Sequence, residues 1–146
     1  MNDVSQFVIN NAKGRFDGKS LESVLYHTPC HDSLDGNGMH LLGQLYTGVK
    51  CVANCCSEAG TLAVSRPDIA YAMLERKRES IAKAQTGSTA KVIATNCPSC
   101  LSGLGRNKEM GVTPQHIAVL LAETLGGPSW REEFTRLVAR AEKVTF

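Results

Sequence analysis

Three short apolar segments constrain the fold of this chain most, because cysteines follow each of them. The segments are LESVLYH at 21–27, VKCVA at 49–53 and KVIATN at 91–96, and each has the length and apolar content of a buried strand. Helical patterns separate these strands along the chain. The sequence therefore predicts an α/β domain, in which helices flank a small, mainly parallel sheet in a three-layer arrangement.

Four segments are predicted to be helical in addition to an N-terminal helix. The clearest follows Ser65-Arg66-Pro67-Asp68, which supplies an N-cap and a proline in the first turn, and it ends at Gly87. Its predicted apolar stripe contains Ile69, Ala70, Met73, Leu74, Ile81 and Ala84. The others are predicted over 39–48, from Thr113-Pro114 to Gly126, and from Ser129 onward.

Composition and length predict one domain spanning residues 1–146. Its core is expected over about residues 20–125, with an N-terminal helix and loop over 1–18 and a C-terminal helix over 129–146. Hydrophobic residues make up 42% of the chain and the net charge is only +2, which gives no indication of nucleic-acid binding. No secretory signal or membrane-length apolar run is recognisable, so we expect a cytoplasmic protein.

Five of the six cysteines come directly after the three predicted strands. Cys30 follows the first strand, Cys55 and Cys56 follow the second, and Cys97 and Cys100 follow the third. The carboxyl ends of parallel strands meet at one edge of a sheet, where ligands bind. The sequence therefore predicts that these five thiols converge in a site at the C-terminal edge of the strands.

Clustered cysteines in a reducing compartment more often bind metal or do redox work than form lasting disulfides. Five thiols exceed the four of a tetrahedral zinc site and the four of a common cubane cluster. Three interpretations remain open. The cysteines could hold a cluster with an uncommon ligand arrangement, they could supply four ligands and one redox-active thiol, or they could form structural disulfides. Cys51 lies within a predicted strand and is expected to be a small buried hydrophobe.

Among the other polar side chains, His31 and Glu58 next to the cysteines have two interpretations each. His31 could donate a hydrogen bond to a cluster sulfur or replace a thiolate, or it could cap the turn. Glu58 could transfer a proton during thiol chemistry or be a solvated loop carboxylate. His27 and His116 are expected to be structural or exposed, and His40 to lie on a helix surface.

Three motifs carry a resemblance to a known family. "YHTPCH", "CCSEAG" and "NCPSC", in that order and together with "RPDIAYAMLERKRESI", resemble the cysteine-rich CCG domain. This domain occurs in heterodisulfide reductases, in the iron–sulfur components of glycolate and lactate oxidation systems, and at the C-termini of FAD-linked oxidoreductases. The chain departs from the family pattern at Ser57, where the family has glycine, in its cysteine spacings, and in carrying a single copy.

The resemblance implies a site, a cofactor and a partner. By analogy, Cys30, Cys55, Cys56, Cys97 and Cys100 match the family positions that hold a [4Fe–4S] cluster, which is non-cubane in heterodisulfide reductases; zinc is the alternative metal. The chain is then an iron–sulfur electron-transfer domain of a FAD-linked oxidoreductase acting on a 2-hydroxy acid such as lactate or glycolate. FAD would belong to a partner flavin domain or subunit. The alternatives are a zinc-binding or metal-free docking domain, and a thiol–disulfide reductase of the heterodisulfide type.

Overall fold

The computed structural model describes residues 3–12, 20–58 and 60–140 of the chain. Within these residues, helices and strands alternate along most of the sequence. In chain order they are α1 (Val4–Asn11), β1 (Ser20–Tyr26), α2 (Gly38–Leu45), β2 (Tyr46–Cys51), α3 (Leu62–Ser65), α4 (Pro67–Gln85), β3 (Val92–Thr95), α5 (Pro98–Gly105), a short 3₁₀ helix (Lys108–Met110), β4 (Thr113–His116), α6 (Ile117–Gly126) and α7 (Trp130–Arg140).

The four strands form one parallel sheet in the order β2-β1-β3-β4. Chain order therefore reverses between β1 and β3: the next strand after β1 lies on one side of it and the later strands lie on the other. In doubly wound sheets this reversal opens a crevice beyond the carboxyl ends of the two strands, where ligands bind. The predicted fold class, an α/β domain with a parallel sheet, is confirmed.

Side chains that alternate along the strands fill two separate cores. Val24 and Tyr26 of β1 contact the helices α1, α2 and α6 on one face of the sheet. Leu25 of β1 and Ile93 of β3 contact α4 and α5 on the other face. Successive residues of a strand point to opposite faces, so this sheet is covered on both sides and the domain has three layers.

The cysteines belong to the face that α4 and α5 cover. Cys56 and Cys100 are buried members of this second core, and Cys55 and Cys97 pack against it half-buried. Within the described ranges, no helix has both the length and the apolar character that crossing a bilayer requires.

Three predictions about elements are wrong. The segment from Thr113 to His116 is a fourth strand rather than the start of a helix, because it pairs with β3 at the edge of the sheet. The predicted helix 39–48 ends at Leu45, since Tyr46, Thr47 and Gly48 already belong to β2. Ser65 does not cap α4; Arg66 occupies the N-cap without a side-chain hydrogen bond, and Ser65 ends α3.

Burial also corrects two predictions. Cys51 is exposed rather than buried, because β2 is an edge strand and Cys51 is its last residue. Ile69 is 39% exposed, whereas Ala70, Leu74 and Ile81 of α4 are buried as predicted. The predicted terminal segments lie partly outside the described residues, namely 1–2, 13–18 and 141–146.

Candidate metal centre

The five cysteines that follow the strands line one open cavity of about 340 Å³. Cys30 comes from the loop after β1, Cys55 and Cys56 from the loop after β2, and Cys97 and Cys100 from the start of α5 after β3. Cys51 is not among the lining residues. The complete lining is Cys30, His31, Cys55, Cys56, Glu58, Gly60, Cys97, Ser99 and Cys100.

Exposure differs among the five thiols. Cys56 and Cys100 are only 6% and 5% exposed, Cys55 and Cys97 are half-buried, and Cys30 is exposed. The cavity therefore has a dry floor formed by two cysteines and a rim that solvent reaches. All six cysteines of the chain are free thiols.

The thiols are close enough to perturb one another. The negative charge of Cys55 is the main cause that raises the pKa of Cys30, with burial second. Burial is the largest of the causes that raise the pKa of Cys100, and the neighbouring Cys56 and Cys97 raise it further. Cys30 and Cys100 therefore resist ionisation, and a bound cation would relieve this because it stabilises their thiolates.

The backbone at the paired cysteines leaves regular strand geometry. Asn54 and Ser57, on either side of the pair, have φ angles of +65° and +69° in the left-handed region. This irregular turn allows both adjacent side chains to face the cavity, which a regular strand cannot do. Ser57 is buried, and its hydroxyl has no partner among the described residues. The left-handed conformation explains why a glycine at this position would fit the backbone better.

Helix α5 presents the last two cysteines. Cys97 is its N-cap and Pro98 occupies the first turn, so Cys97 and Cys100 lie at the positive end of the helix dipole. Gly103, one turn later, allows close contact with the paired cysteines: a Cβ there would lie 2.4 Å from the carbonyl oxygen of Cys56. The absence of this side chain sets the spacing between Cys56 and Cys100.

Asp32 and Asn96 fix the loop that carries Cys30. The Asp32 carboxylate accepts hydrogen bonds from the backbone N–H groups of Leu34 and Gly36 at 3.0 and 2.8 Å. Asn96, at the end of β3, donates to Asp32 at 2.9 Å and accepts from the Tyr26 hydroxyl at 3.3 Å. These bonds hold the first cysteine loop against the third strand, and the sequence analysis did not identify them.

The histidines take different roles. His31 lines the cavity and is exposed, and Glu58 lines it half-buried. His116 caps α6, because its Nδ1 accepts a hydrogen bond from the Ala118 N–H at 3.2 Å. His40 is exposed on α2, as predicted. His27 is only 1% exposed, and one of its ring nitrogens lies within 4.8 Å of the sulfur atoms of Cys56 and Cys100.

Lys77 is the main residue that the sequence analysis missed. It is fully buried on α4, and its Nζ lies 2.9 Å from His27 Nδ1 and 2.9 Å from the Ala53 carbonyl oxygen. Burial is the main cause that lowers the pKa of Lys77 to about 8. A signal was present: residue 77 falls on the apolar stripe of α4, between Leu74 and Ile81, where a solvated lysine is not expected.

Fold and site together define a class: parallel α/β domains that gather cysteines from three strand ends into one cavity. The family comparison identifies which one. Residues 24–105, more than half of the chain, match the model of the cysteine-rich (CCG) domain, and the chain belongs to this family. Neither the comparison with curated proteins nor that with solved structures returned a match.

Proposed function

We propose that this chain is an iron–sulfur electron-transfer domain and that its five converging cysteines hold a [4Fe–4S] cluster. The observation that carries the proposal is the shared cavity, which Cys30, Cys55, Cys56, Cys97 and Cys100 all line. Thiolate is the usual protein ligand of iron–sulfur clusters, and five thiols are one more than zinc or a common cubane requires. When bound, such a cluster supplies one-electron transfer.

The residues present fit a group of this kind. The buried Nε2 of His27 has no partner among the described residues and belongs to a side chain next to two of the thiols. The cysteines at the start of α5 lie at a positive helix end, which favours thiolates. The buried Lys77 adds a positive charge on the same side. A net negative cluster with its thiolates would be stabilised by each of these features.

We further propose that the domain exchanges electrons with a flavin domain or subunit of a FAD-linked oxidoreductase. The exposed Cys30 and the half-buried Cys97 line the open side of the cavity, so a redox partner could approach the cluster there. In this arrangement the substrate, for which a 2-hydroxy acid is our proposal, is oxidised at the flavin. The role of the present chain is to relay the electrons.

Zinc is the second candidate because one observation favours it specifically. His27, Cys56 and Cys100 form a compact, buried group of one nitrogen and two sulfur ligands. A nitrogen and sulfur set of this size suits a tetrahedral zinc ion if a fourth ligand such as Cys97 completes it. Such a domain would have a structural or docking role.

Anaerobic purification separates the two candidates. The protein is purified without oxygen, and iron, acid-labile sulfide and zinc are measured per chain before and after reconstitution with iron and sulfide. The proposal predicts a brown protein with about four iron and four sulfide per chain, the composition of a [4Fe–4S] cluster. A colourless protein with one zinc per chain that does not exchange for iron would contradict the iron–sulfur proposal and support the zinc site.

A further inference from the structure

Lys77 is a buried cation whose surroundings restrict how it can bond. Four acceptor atoms surround its Nζ: His27 Nδ1 at 2.9 Å, and the carbonyl oxygens of Ala53, Asn54 and Val52 at 2.9, 3.1 and 3.3 Å. A lysine ammonium has three N–H donors and no acceptor. Carbonyl oxygens only accept, so the three N–H groups of the protonated Lys77 are shared among the four acceptors, of which the Val52 carbonyl is the most distant.

This contact determines which nitrogen of His27 carries the proton. Nδ1 faces a cationic donor, so Nδ1 must be the acceptor and the single proton of the neutral ring sits on Nε2. The three backbone carbonyl oxygens around Nζ can only accept hydrogen bonds, which favours the protonated lysine. A second positive charge on the buried ring, 2.9 Å from that ammonium, is disfavoured, so the ring is neutral.

The Nε2–H group is then a buried donor without an acceptor. Nε2 is the ring nitrogen that finds no hydrogen-bond partner among the described residues, and the side chain is 1% exposed. One ring nitrogen of His27 lies within 4.8 Å of the sulfur atoms of Cys56 and Cys100, which form the dry floor of the cavity, and the other nitrogen, Nδ1, is in contact with Lys77. A buried donor left without a partner is unfavourable, and a sulfur acceptor would remove this penalty.

We propose that His27 is a hydrogen-bond donor to the sulfur atoms at the floor of the cysteine cavity, and that Lys77 positions it by fixing the Nε2–H tautomer. The part of this proposal that concerns bound metal depends on the proposed function. His27 is accordingly a positioning and tuning residue rather than a metal ligand, so this proposal excludes the zinc ligand set of His27, Cys56 and Cys100 considered above. A ligand needs a free lone pair on Nε2, and the contact between Lys77 and Nδ1 removes it.

The loop contacts of Lys77 extend this role. Val52, Ala53 and Asn54 connect β2 to the paired cysteines, and Lys77 binds all three carbonyls. A single side chain on α4 thus holds both the loop that carries Cys55 and Cys56 and the histidine that faces Cys56. The position of the thiols and the direction of the donor are therefore coupled through α4.

The tautomer can be measured without any metal. The protein is labelled with ¹⁵N-histidine, and long-range ¹H–¹⁵N spectra are recorded at pH 7 on the reduced, metal-free chain and on the zinc-loaded chain. Loss of one spin system in His27→Gln assigns His27 among the four histidines. We expect protonated Nε2 and unprotonated Nδ1 in both samples. An Nδ1–H tautomer in the metal-free chain, or loss of the Nε2 proton upon zinc loading, would overturn the proposal.

Two substitutions at His27 distinguish the loss of its Nε2–H donor from the loss of its contact with Lys77. His27→Asn keeps a polar group toward Lys77 and loses the ε position, whereas His27→Gln places an amide N–H near the position of Nε2. Zinc affinity is measured by chelator competition. We expect His27→Asn to bind about 10- to 100-fold more weakly, as is typical when a residue that orients metal ligands is lost, and His27→Gln to stay closer to wild type. Equal affinities in the two variants would overturn the donor role.

The role of Lys77 has its own readout. In Lys77→Met the ring loses the cation at Nδ1, so we expect the Nε2–H tautomer to give way to a mixture in the same spectra. An unchanged tautomer would refute Lys77 as the positioning residue. If the wild-type chain bound neither zinc nor iron, the proposed function would fail, while the metal-free spectra would still decide whether His27 presents Nε2–H.

Discussion

Replacing Gly103 with alanine is the perturbation whose effect on the cysteine cavity is best defined by the structure. Gly103 lies on α5, one turn after Cys100, and faces the backbone of the paired cysteines. An added Cβ would lie 2.4 Å from the Cys56 carbonyl oxygen and 3.1 Å from its carbonyl carbon. Both neighbours are backbone atoms, which cannot turn away as a flexible side chain can.

The magnitude follows from the required movement. A carbon and an oxygen atom approach to about 3.3 Å in ordinary contacts, so α5 and the Cys56 segment must separate by about 1 Å. Overpacking of this kind costs about 1–3 kcal/mol, and alanine recovers about 1 kcal/mol of helix propensity. We therefore expect a net loss of up to about 2 kcal/mol in the free energy of unfolding, together with weaker metal binding because Cys56 moves relative to Cys100.

Gly105→Ala is the matched control on the same helix. Its Cβ would meet only Pro114 Cγ, at an ordinary 3.9 Å. Urea unfolding of the reduced, metal-free protein gives the stability, and chelator competition gives the zinc affinity of both variants. Gly105→Ala should match wild type in zinc affinity and equal or exceed it in stability, because alanine gains helix propensity there without a clash. The reasoning is refuted if Gly103→Ala equals Gly105→Ala in stability and affinity.

Three further predictions concern the turn after the paired cysteines, the support of the Cys30 loop and the start of α6. Ser57→Gly should be more stable than Ser57→Ala by about 1–2 kcal/mol in urea unfolding, because both lose the unpartnered hydroxyl but only glycine adopts φ +69° freely; equal stabilities would contradict a left-handed Ser57. Asn96→Ala removes hydrogen bonds to Tyr26, Asp32 and Ser33, so it should lower the free energy of unfolding by about 2–3 kcal/mol and increase hydrogen exchange in the Cys30 loop. The control Asn10→Ala, on the exposed side of α1, should change the stability little. His116→Ala should lower the stability by about 1 kcal/mol without changing the metal content, and His116→Asn should restore the cap; loss of metal in both would show that His116 is a ligand.

The position of the cysteines at the strand ends was predictable because it depends only on strand identity and parallel order. Three apolar segments were sufficient to predict the sheet, and a parallel sheet has a single carboxyl edge. The fourth strand was not predictable in the same way. Thr113–His116 has no apolar run, and Pro114 indicates a helix start; at a sheet edge, however, proline is tolerated because one side of the strand is unpaired.

The side chains behind the cavity were harder to predict because they contradict local expectations. Lys77 lies on the buried stripe of α4, but the sequence pattern does not indicate which acceptors would satisfy a buried ammonium group. Its burial becomes understandable only when Val52, Ala53, Asn54 and His27 are brought around it by the turn after β2. The alternation along β1 places His27 on the same face of the sheet as Leu25, toward α4, so its burial follows from the strand. Its contact with Lys77 does not follow from the sequence, because the two residues are fifty positions apart in the chain.

The account depends most on the five thiols binding one group together, and a serine scan tests this most directly. Cys30, Cys55, Cys56, Cys97 and Cys100 are each changed to serine, with Cys51→Ser as the matched control, since Cys51 lies outside the cavity lining. Each chain is reconstituted anaerobically, and its iron content and EPR spectrum are recorded. We predict lower iron content or an altered spectrum in all five variants and a wild-type result for Cys51→Ser. Wild-type iron content and an unchanged spectrum in Cys55→Ser and Cys97→Ser would contradict a shared cluster.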